Sequence, residues 1–294
     1  MKNIIVVTGG AGFVGSNLIK LILKKTKYKI LSIDNYSSGT TKNHIKNKRI
    51  KYVKENTKNI DKILKNKTKK IKTIFHFGEF SRIYQSFMKM NECIESNSVG
   101  SHAIFNFCLN NNIKLIYSAT SASLGNKGKD KNLSPYAFSK AKNLEQLENF
   151  KRHFNLKYEI IYFYNVYGPN QISKGFMSTV IGIFEDHYLR KKPLPVVRPG
   201  TQTRRFTHIE DTIKIVYQAW KKKLNRHYIV ANTKAYSILE VAKMFKTKIK
   251  YLPSRDGERY ASALVKKNLS NKIYKHYGKI SLKSYIKEFL KKNS

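Results

Sequence analysis

Only two cysteines occur in the 294 residues, Cys93 and Cys108, and neither belongs to a CxxC pair or a cluster spaced like metal ligands. That excludes a disulfide framework and leaves no metal site to expect; two buried free thiols fit a reducing, cytoplasmic setting. Long apolar runs are missing as well. The run that opens the chain, residues 4–7, is far too short to cross a bilayer and follows no secretory leader pattern, so an unexported protein with no membrane association is expected. Acid is scarce: 18 Asp and Glu stand against 58 Lys and Arg, a formal net charge of +40. Such an excess ordinarily raises nucleic acid as a partner. Here the lysines are scattered among Asn and Ile along the whole chain, with no basic tail and no aromatic-interleaved basic motif. Compositional bias is the better reading, and only nonspecific attraction to polyanions at low salt is expected. No internal repeat, Pro-rich linker or low-complexity tail interrupts a length that suits one large or two modest domains.

What is present begins with glycine. Residues 4–7 read as a buried strand that stops at Gly9, Gly12 and Gly15 before an apolar-periodic helix. The first glycine permits a sharp turn, the second lets bare backbone approach a pyrophosphate, and the third lets the helix lie against the sheet with its positive end on the anion. Asp34 closes a second strand, residues 30–33, nineteen positions after Gly15, where a carboxylate can bond a ribose 2′-hydroxyl. A dinucleotide site follows, for NAD rather than NADP.

The chain continues as strands near residues 50–53, 71–77 and 114–118, with helices at 60–65 and 91–111 between them. Strands apolar almost throughout, alternating with helices, predict a Rossmann-type doubly wound α/β fold whose parallel sheet is covered on both faces. Ligands bind at the carboxyl ends of such strands, so Phe77 and Gly78 are expected to line the dinucleotide, while His76 reads as a structural histidine. After Gly168 the pattern changes to longer loops, short strands at 194–197 and 228–230, and helices at 176–189, 212–221 and 237–245. Residues 1–168 are therefore expected to form the NAD-binding domain, and residues 169–294 mainly a smaller C-terminal α/β substrate-binding region, with segments free to return to the first.

The catalytic signal is Tyr136-Ala137-Phe138-Ser139-Lys140, preceded by Pro135, which suits a helix start. Four-residue spacing puts Tyr136 and Lys140 on one helical face, where an ammonium favours the phenolate of a tyrosine whose ordinary pKa is about 10. Upstream, residues 117–123 leave a strand end in a run of small hydroxyl residues; Thr120, with Ser121 as its rival, is placed to bridge a substrate oxygen and the phenol.

Together these motifs make the chain resemble the extended short-chain dehydrogenases/reductases, in particular the NAD-dependent nucleotide-sugar epimerase/dehydratase family and its UDP-glucose 4-epimerases. The resemblance covers nearly the whole chain: residues 8–15, Asp34-Asn35, His76-Phe77, Asn97, Thr120, Tyr136 with Lys140, residues 164–169 and residues 204–208 fall in family order. It implies Gly9, Gly12, Phe13, Val14, Gly15, Asp34, Asn35, Asn56, Phe77, Gly78, Asn97 and Lys140 as cofactor-binding residues. Thr120, Tyr136, Asn165, Arg204 and Arg255 are implied at the substrate, the two arginines clamping a diphosphate that a guanidinium fork suits better than a lysine does. The helices at 91–111 and 135–154 resemble those that pair two subunits in this family, which implies a homodimer.

Departures carry information too. Relatives that dehydrate bear an Asp-Glu pair after the catalytic threonine, and decarboxylating relatives a glutamate at its second position; here Ser121 and Ala122 stand there. Return of the hydride on the sugar's other face, a 4-epimerisation with NAD regenerated, is the simplest outcome. A decarboxylase or 4,6-dehydratase using an acid from elsewhere, such as Glu79, is the alternative, and a non-catalytic NAD- or polyanion-binding protein is the alternative of another class. Asn56 replaces a usual aspartate, residues 123–125 a usual Val-Tyr-Gly, Arg198-Pro199 a usual Gly-Asp, and Arg205 a common aspartate. Glu79 and Arg82, unusual beside the cofactor, are expected to face the sugar and tune substrate choice.

Overall fold

The computed structural model describes residues 2–255, 257 and 273–293. Fourteen strands appear among them: β1 Ile4–Thr8, β2 Lys29–Asp34, β3 Ile50–Lys54, β4 Ile71–His76, β5 Lys114–Thr120, β6 Tyr158–Phe163, β7 Val166–Tyr167, β8 Leu194–Val197, β9 Thr203–Arg204, β10 Thr207–His208, β11 His227–Ala231, β12 Tyr236–Ser237, β13 Ile249–Leu252 and β14 Ile273–Tyr277. The α-helices are α1 Phe13–Lys25, α2 Ile60–Leu64, α3 Ile83–Met88, α4 Met90–Ile94, α5 Ser101–Asn110, α6 Pro135–Phe154, α7 Val180–Leu189, α8 Ile209–Lys222, α9 Ile238–Met244 and α10 Leu282–Asn293.

Eight strands form one sheet in the order β14-β11-β6-β5-β4-β1-β2-β3, every neighbouring pair parallel. Parallel neighbours need crossovers, and the helices that supply them cover both faces, so both sides of a central strand are apolar. In β1, Val6 packs with Leu31, Ile74, Tyr117 and the α2, α5 and α6 residues Ile60, Ile104 and Leu147. Its neighbours Ile5 and Val7 point the other way, to Phe75, Ile116 and Ile161 and to α1 and α8. The alternation of the strand thus sorts one apolar run into two cores.

Helix α8 covers its face with Ile209, Ile213, Val216 and Trp220, spaced by three or four residues, and starts with Glu210 and Asp211 where the helix dipole favours acid. The Trp220 indole donates to Thr73 Oγ1 at 2.9 Å, so its one polar group is satisfied inside that core. A third core, built from Tyr167, Ile181, Phe184, Val196, Phe206, Val241, Phe245, Leu282 and Ile286, holds the smaller region of α7, α9, α10 and the short strands together.

Two expectations change in detail. The helix foreseen at 91–111 is broken into α4 and α5 by a π-helical turn, Glu95–Gly100, at whose end Gly100 meets Thr57: a Cβ there would lie 2.3 Å from Thr57 Oγ1. The helix foreseen from 176 starts at Val180, because Thr179 caps it by accepting from Gly182 N at 3.0 Å while the carbonyls of residues 176–178 are taken by Gln85 and Arg82.

Candidate active site

Strand order reverses between β1 and β4, and the crevice at the carboxyl ends of these strands opens into a cleft of about 500 Å³. One end is the turn from β1 into α1. Gly9 sits at φ +68°, and a Cβ on it would come within 2.7 Å of the Phe77 carbonyl carbon and Gly78 N; one on Gly15 would come within 2.2 Å of Gly9 O. Only bare backbone fits the crossing of β1, α1 and the loop after β4. Asp34 is 8% exposed; its carboxylate accepts from Ala11 N at 2.9 Å and Tyr36 N at 2.8 Å. Burial raises its pKa, and those backbone amides oppose the rise. These features fit a dinucleotide: a glycine cradle facing a helix N-terminus for the pyrophosphate, and a carboxylate fixed at the end of β2 for a ribose diol. Gly9, Gly12, Phe13, Val14, Gly15, Asp34, Asn35, Phe77 and Gly78 all line this part of the cleft.

The middle of the cleft is lined by Thr120, Tyr136 and Lys140. Thr120 ends β5 and accepts from Ala122 N at 3.3 Å, leaving its hydroxyl hydrogen to donate. Helix α6 starts where expected: Ser134 accepts from Ala137 N at 3.1 Å, Pro135 occupies the first turn, and Tyr136 and Lys140 follow on one face. Lys140 is 4% exposed, donates to Ser118 O and the Glu79 carboxylate, and stands 4.5 Å from the centre of the Tyr117 ring. Burial lowers the pKa of its ammonium, and Glu79 works against that drop.

Behind Lys140 lies a directed hydrogen-bond chain. Phe77 N and Gly78 N donate to Thr8 Oγ1, each at 3.1 Å, and the Thr8 hydroxyl lies 2.7 Å from His76 Nδ1. Ser101 Oγ donates to Glu79 Oε1 at 2.9 Å and must therefore accept from His76 Nε2, also at 2.9 Å. The chain assigns His76 its Nε2–H tautomer, and burial pushes its pKa down to about 4, so it is a neutral structural residue as expected.

The far end carries Asn165, Arg204 and Arg255 on the cleft wall. Asn165 adopts φ +33° between β6 and β7 and donates to Arg205 O at 3.3 Å. Arg255 lies over the Tyr84 ring, 4.9 Å from its centre.

Two sequence-predicted cofactor residues do not line the cleft. Asn97, carried on the π-helical turn, is fully buried, accepts from Phe80 N at 2.7 Å and donates to Phe80 O at 3.0 Å, so it fixes the loop after β4 from behind. Asn56 accepts from Lys58 N at 3.0 Å and caps the turn before α2. Glu79 and Arg82 do not offer their charges to a sugar as expected. Arg82 donates to Met177 O at 2.7 Å and to Ser178 O and the Ser81 carbonyl, tying two loops together. The Glu79 carboxylate is taken up by Lys140, Ser101, Tyr117 and Asn143. Sequence reasoning missed this cluster; the available signal was Asn143, one helical turn beyond Lys140 on the same face.

Among the described residues no helix is long and apolar enough to cross a membrane, and no group of His, Cys, Asp and Glu is arranged to hold a metal ion. The Bacillus subtilis protein named uncharacterized UDP-glucose epimerase YtcB is 28% identical over 227 residues, covering 71% of this chain and 70% of that protein. Among solved structures, a UDP-N-acetylglucosamine 4-epimerase of Methanobrevibacter ruminantium, in complex with UDP-N-acetylmuramic acid, superposes with a TM-score of 0.83 at 26% identity, covering 99% of this chain and 98% of that one. The UDP-glucuronic acid 4-epimerase of Bacillus cereus, with UDP-glucuronic acid and NAD, shares the fold with a TM-score of 0.84 at 24% identity, covering 98% and 99%. A glycine cradle at the switch point, a fixed carboxylate after β2 and a Tyr-Lys pair on α6 thus occur together in a chain whose residues 5–231 match the model of the NAD dependent epimerase/dehydratase family, and the protein belongs to that family.

Proposed function

We propose that the protein is a nucleotide-sugar 4-epimerase acting on a UDP-hexose, working as a homodimer in the cytoplasm. The observation that carries this reading is a shortage of acid: among the described residues lining the cleft, the only carboxylates are Asp34 and Glu79. Asp34 is held by backbone amides at the ribose end, and Glu79 by four side-chain donors behind Lys140. Dehydration or decarboxylation needs a second acid-base group beside the sugar, and Ser121 and Ala122 cannot supply one. The proteins of similar fold described above are named as 4-epimerases.

NAD, when bound, supplies a reversible hydride acceptor. Tyr136 takes the proton from the sugar 4-hydroxyl and returns it after the sugar has presented its other face; Thr120 donates to the same oxygen and limits its drift. Lys140 stabilises the phenolate by its charge and holds the ribose. Arg204 and Arg255 engage the diphosphate, and Asn165 the sugar-proximal phosphate, which leaves the hexose free to turn between two fixed ends. Support for a dimer comes from Phe87, Met88, Met90, Val99 and Phe138, apolar residues 42 to 55% exposed on and around α3, α4 and α6.

Incubation with UDP-glucose, UDP-galactose and their N-acetyl and glucuronate counterparts, without added NAD, tests the proposal. The expected product has unchanged mass and inverted C4, and Tyr136→Phe lowers its rate by at least about 10²-fold. A product lighter by water or carbon dioxide would overturn the epimerase reading. No conversion of any nucleotide sugar would favour a binding protein.

A further inference from the structure

The glutamate behind Lys140 is more heavily engaged than a surface counter-ion. Glu79 is 3% exposed, and its Oε1 accepts from Ser101 Oγ at 2.9 Å, Tyr117 OH at 3.0 Å and Asn143 Nδ2 at 3.1 Å, while Oε2 takes Lys140 Nζ. These donors come from α5, β5 and α6, and the glutamate from the loop after β4, so four elements converge on one carboxylate. Four donors match the acceptor sites of one carboxylate, and a buried ammonium without a counter-charge would lose its proton to escape desolvation. We propose that Glu79 is a positioning residue: it acts through Lys140, keeping the ammonium charged and aimed beside Tyr136, and so sets the pH window in which the Tyr136–Lys140 pair works. This rests on the reading of Tyr136 as the acid-base group.

The other titratable groups facing the pair leave that window to these residues. His76 on β4 is pushed down to about 4 by burial, and the Cys93 thiol on α4 is pushed up to about 11. Tyr117 on β5 is raised well above its ordinary value by burial and by Glu79 itself. Burial lowers the pKa of Arg82, and its electrostatic interaction with Tyr136 opposes that drop; a guanidinium starts high enough to keep its charge. The negative charge that can be removed without touching Lys140 or Tyr136 is therefore that of Glu79.

Removing a negative charge favours the deprotonated form of every neighbour, so both limbs of the kcat/KM profile of Glu79→Gln are expected to move toward acid by about one pH unit. The basic limb moves because Lys140 loses its proton earlier, the acidic limb because the phenol of Tyr136 ionises against a less compensated cation. Glu79→Asp, with its carboxylate drawn back by one methylene, should give a smaller shift in the same direction. A folded, NAD-binding Glu79→Gln with both limbs unmoved would overturn the proposal, even if its melting temperature fell, since that combination marks a purely structural glutamate. Should Glu79→Gln not fold, Glu79→Asp carries the test, and limbs unmoved there overturn it equally. A second readout needs no turnover: tyrosinate absorbance is titrated in each NAD-loaded variant and its Tyr136→Phe counterpart, and their difference reports Tyr136 alone. Failure of the epimerase reading shows as a wild type that converts no sugar; failure of this one shows as a Tyr136 titration indifferent to Glu79.

Discussion

His76 is a fully buried imidazole held between two hydroxyls, and its pKa of about 4 in the fold lies below the ordinary value of 6.5. The unfolded chain therefore binds a proton that the folded chain refuses between those two values. The sign follows: this contribution to stability is fully present above about pH 6.5, is lost as pH falls toward 4, and amounts to roughly 3 kcal/mol. The denaturant midpoint is expected to fall over that interval, with less slope in His76→Asn; an equal slope in both would assign the acid sensitivity elsewhere. At this scale the sequence was readable where a residue's role depends on backbone. Gly9, Gly15 and Asp34 each answer a steric or hydrogen-bonding demand of the β1 to α1 turn that spacing alone expresses. Asn97 was misplaced because it sits inside a π-helical turn, which re-aims its side chain relative to a regular helix, and Glu79 because it lies in the loop after β4, where spacing does not set side-chain direction.

Helix α6 carries the two residues on which the proposed chemistry turns, and its first turn is fixed by Ser134. Ser134→Ala is expected to cost about 1 kcal/mol of stability, as is Ser237→Ala, which breaks the capping box of α9. Only the first should lower kcat, since Tyr136 lies two residues from that cap; equal kcat losses in both would mean that the effect is global. The first five sheet strands were legible as apolar runs and the start of α6 from Pro135, while the extent of α6 came from the family resemblance. Strand β6 was not legible, because it carries Glu159 in an otherwise apolar run. That carboxylate is fully buried, paired with Lys114 and accepting from Asn225 N at 3.0 Å and Arg226 N at 2.7 Å, a compensation assembled from distant residues.

Across the whole molecule a net charge of +40 means that folding brings like charges together. Ion pairs such as Lys58–Glu95 and Lys142–Glu145 are exposed on both sides and offset little of this. Raising sodium chloride from about 10 mM to about 200 mM, which shortens the screening length to below about 10 Å, should raise the melting temperature by several degrees. A flat or falling melting temperature would mean that the charges are already well dispersed. Chloride suits the test, because sulfate or phosphate could also stabilise by occupying the diphosphate end of the cleft. From beyond residue 168, where the expected division left segments free to return, β11 and β14 join the large sheet and α8 packs on one of its faces. That interleaving bears on how the chain is made. During synthesis β6 emerges some sixty residues before β11, its sheet neighbour, and β11 in turn waits for β14. Until then an apolar parallel strand has an open edge of the kind on which chains can pair, and it is the late C-terminal strands that close it.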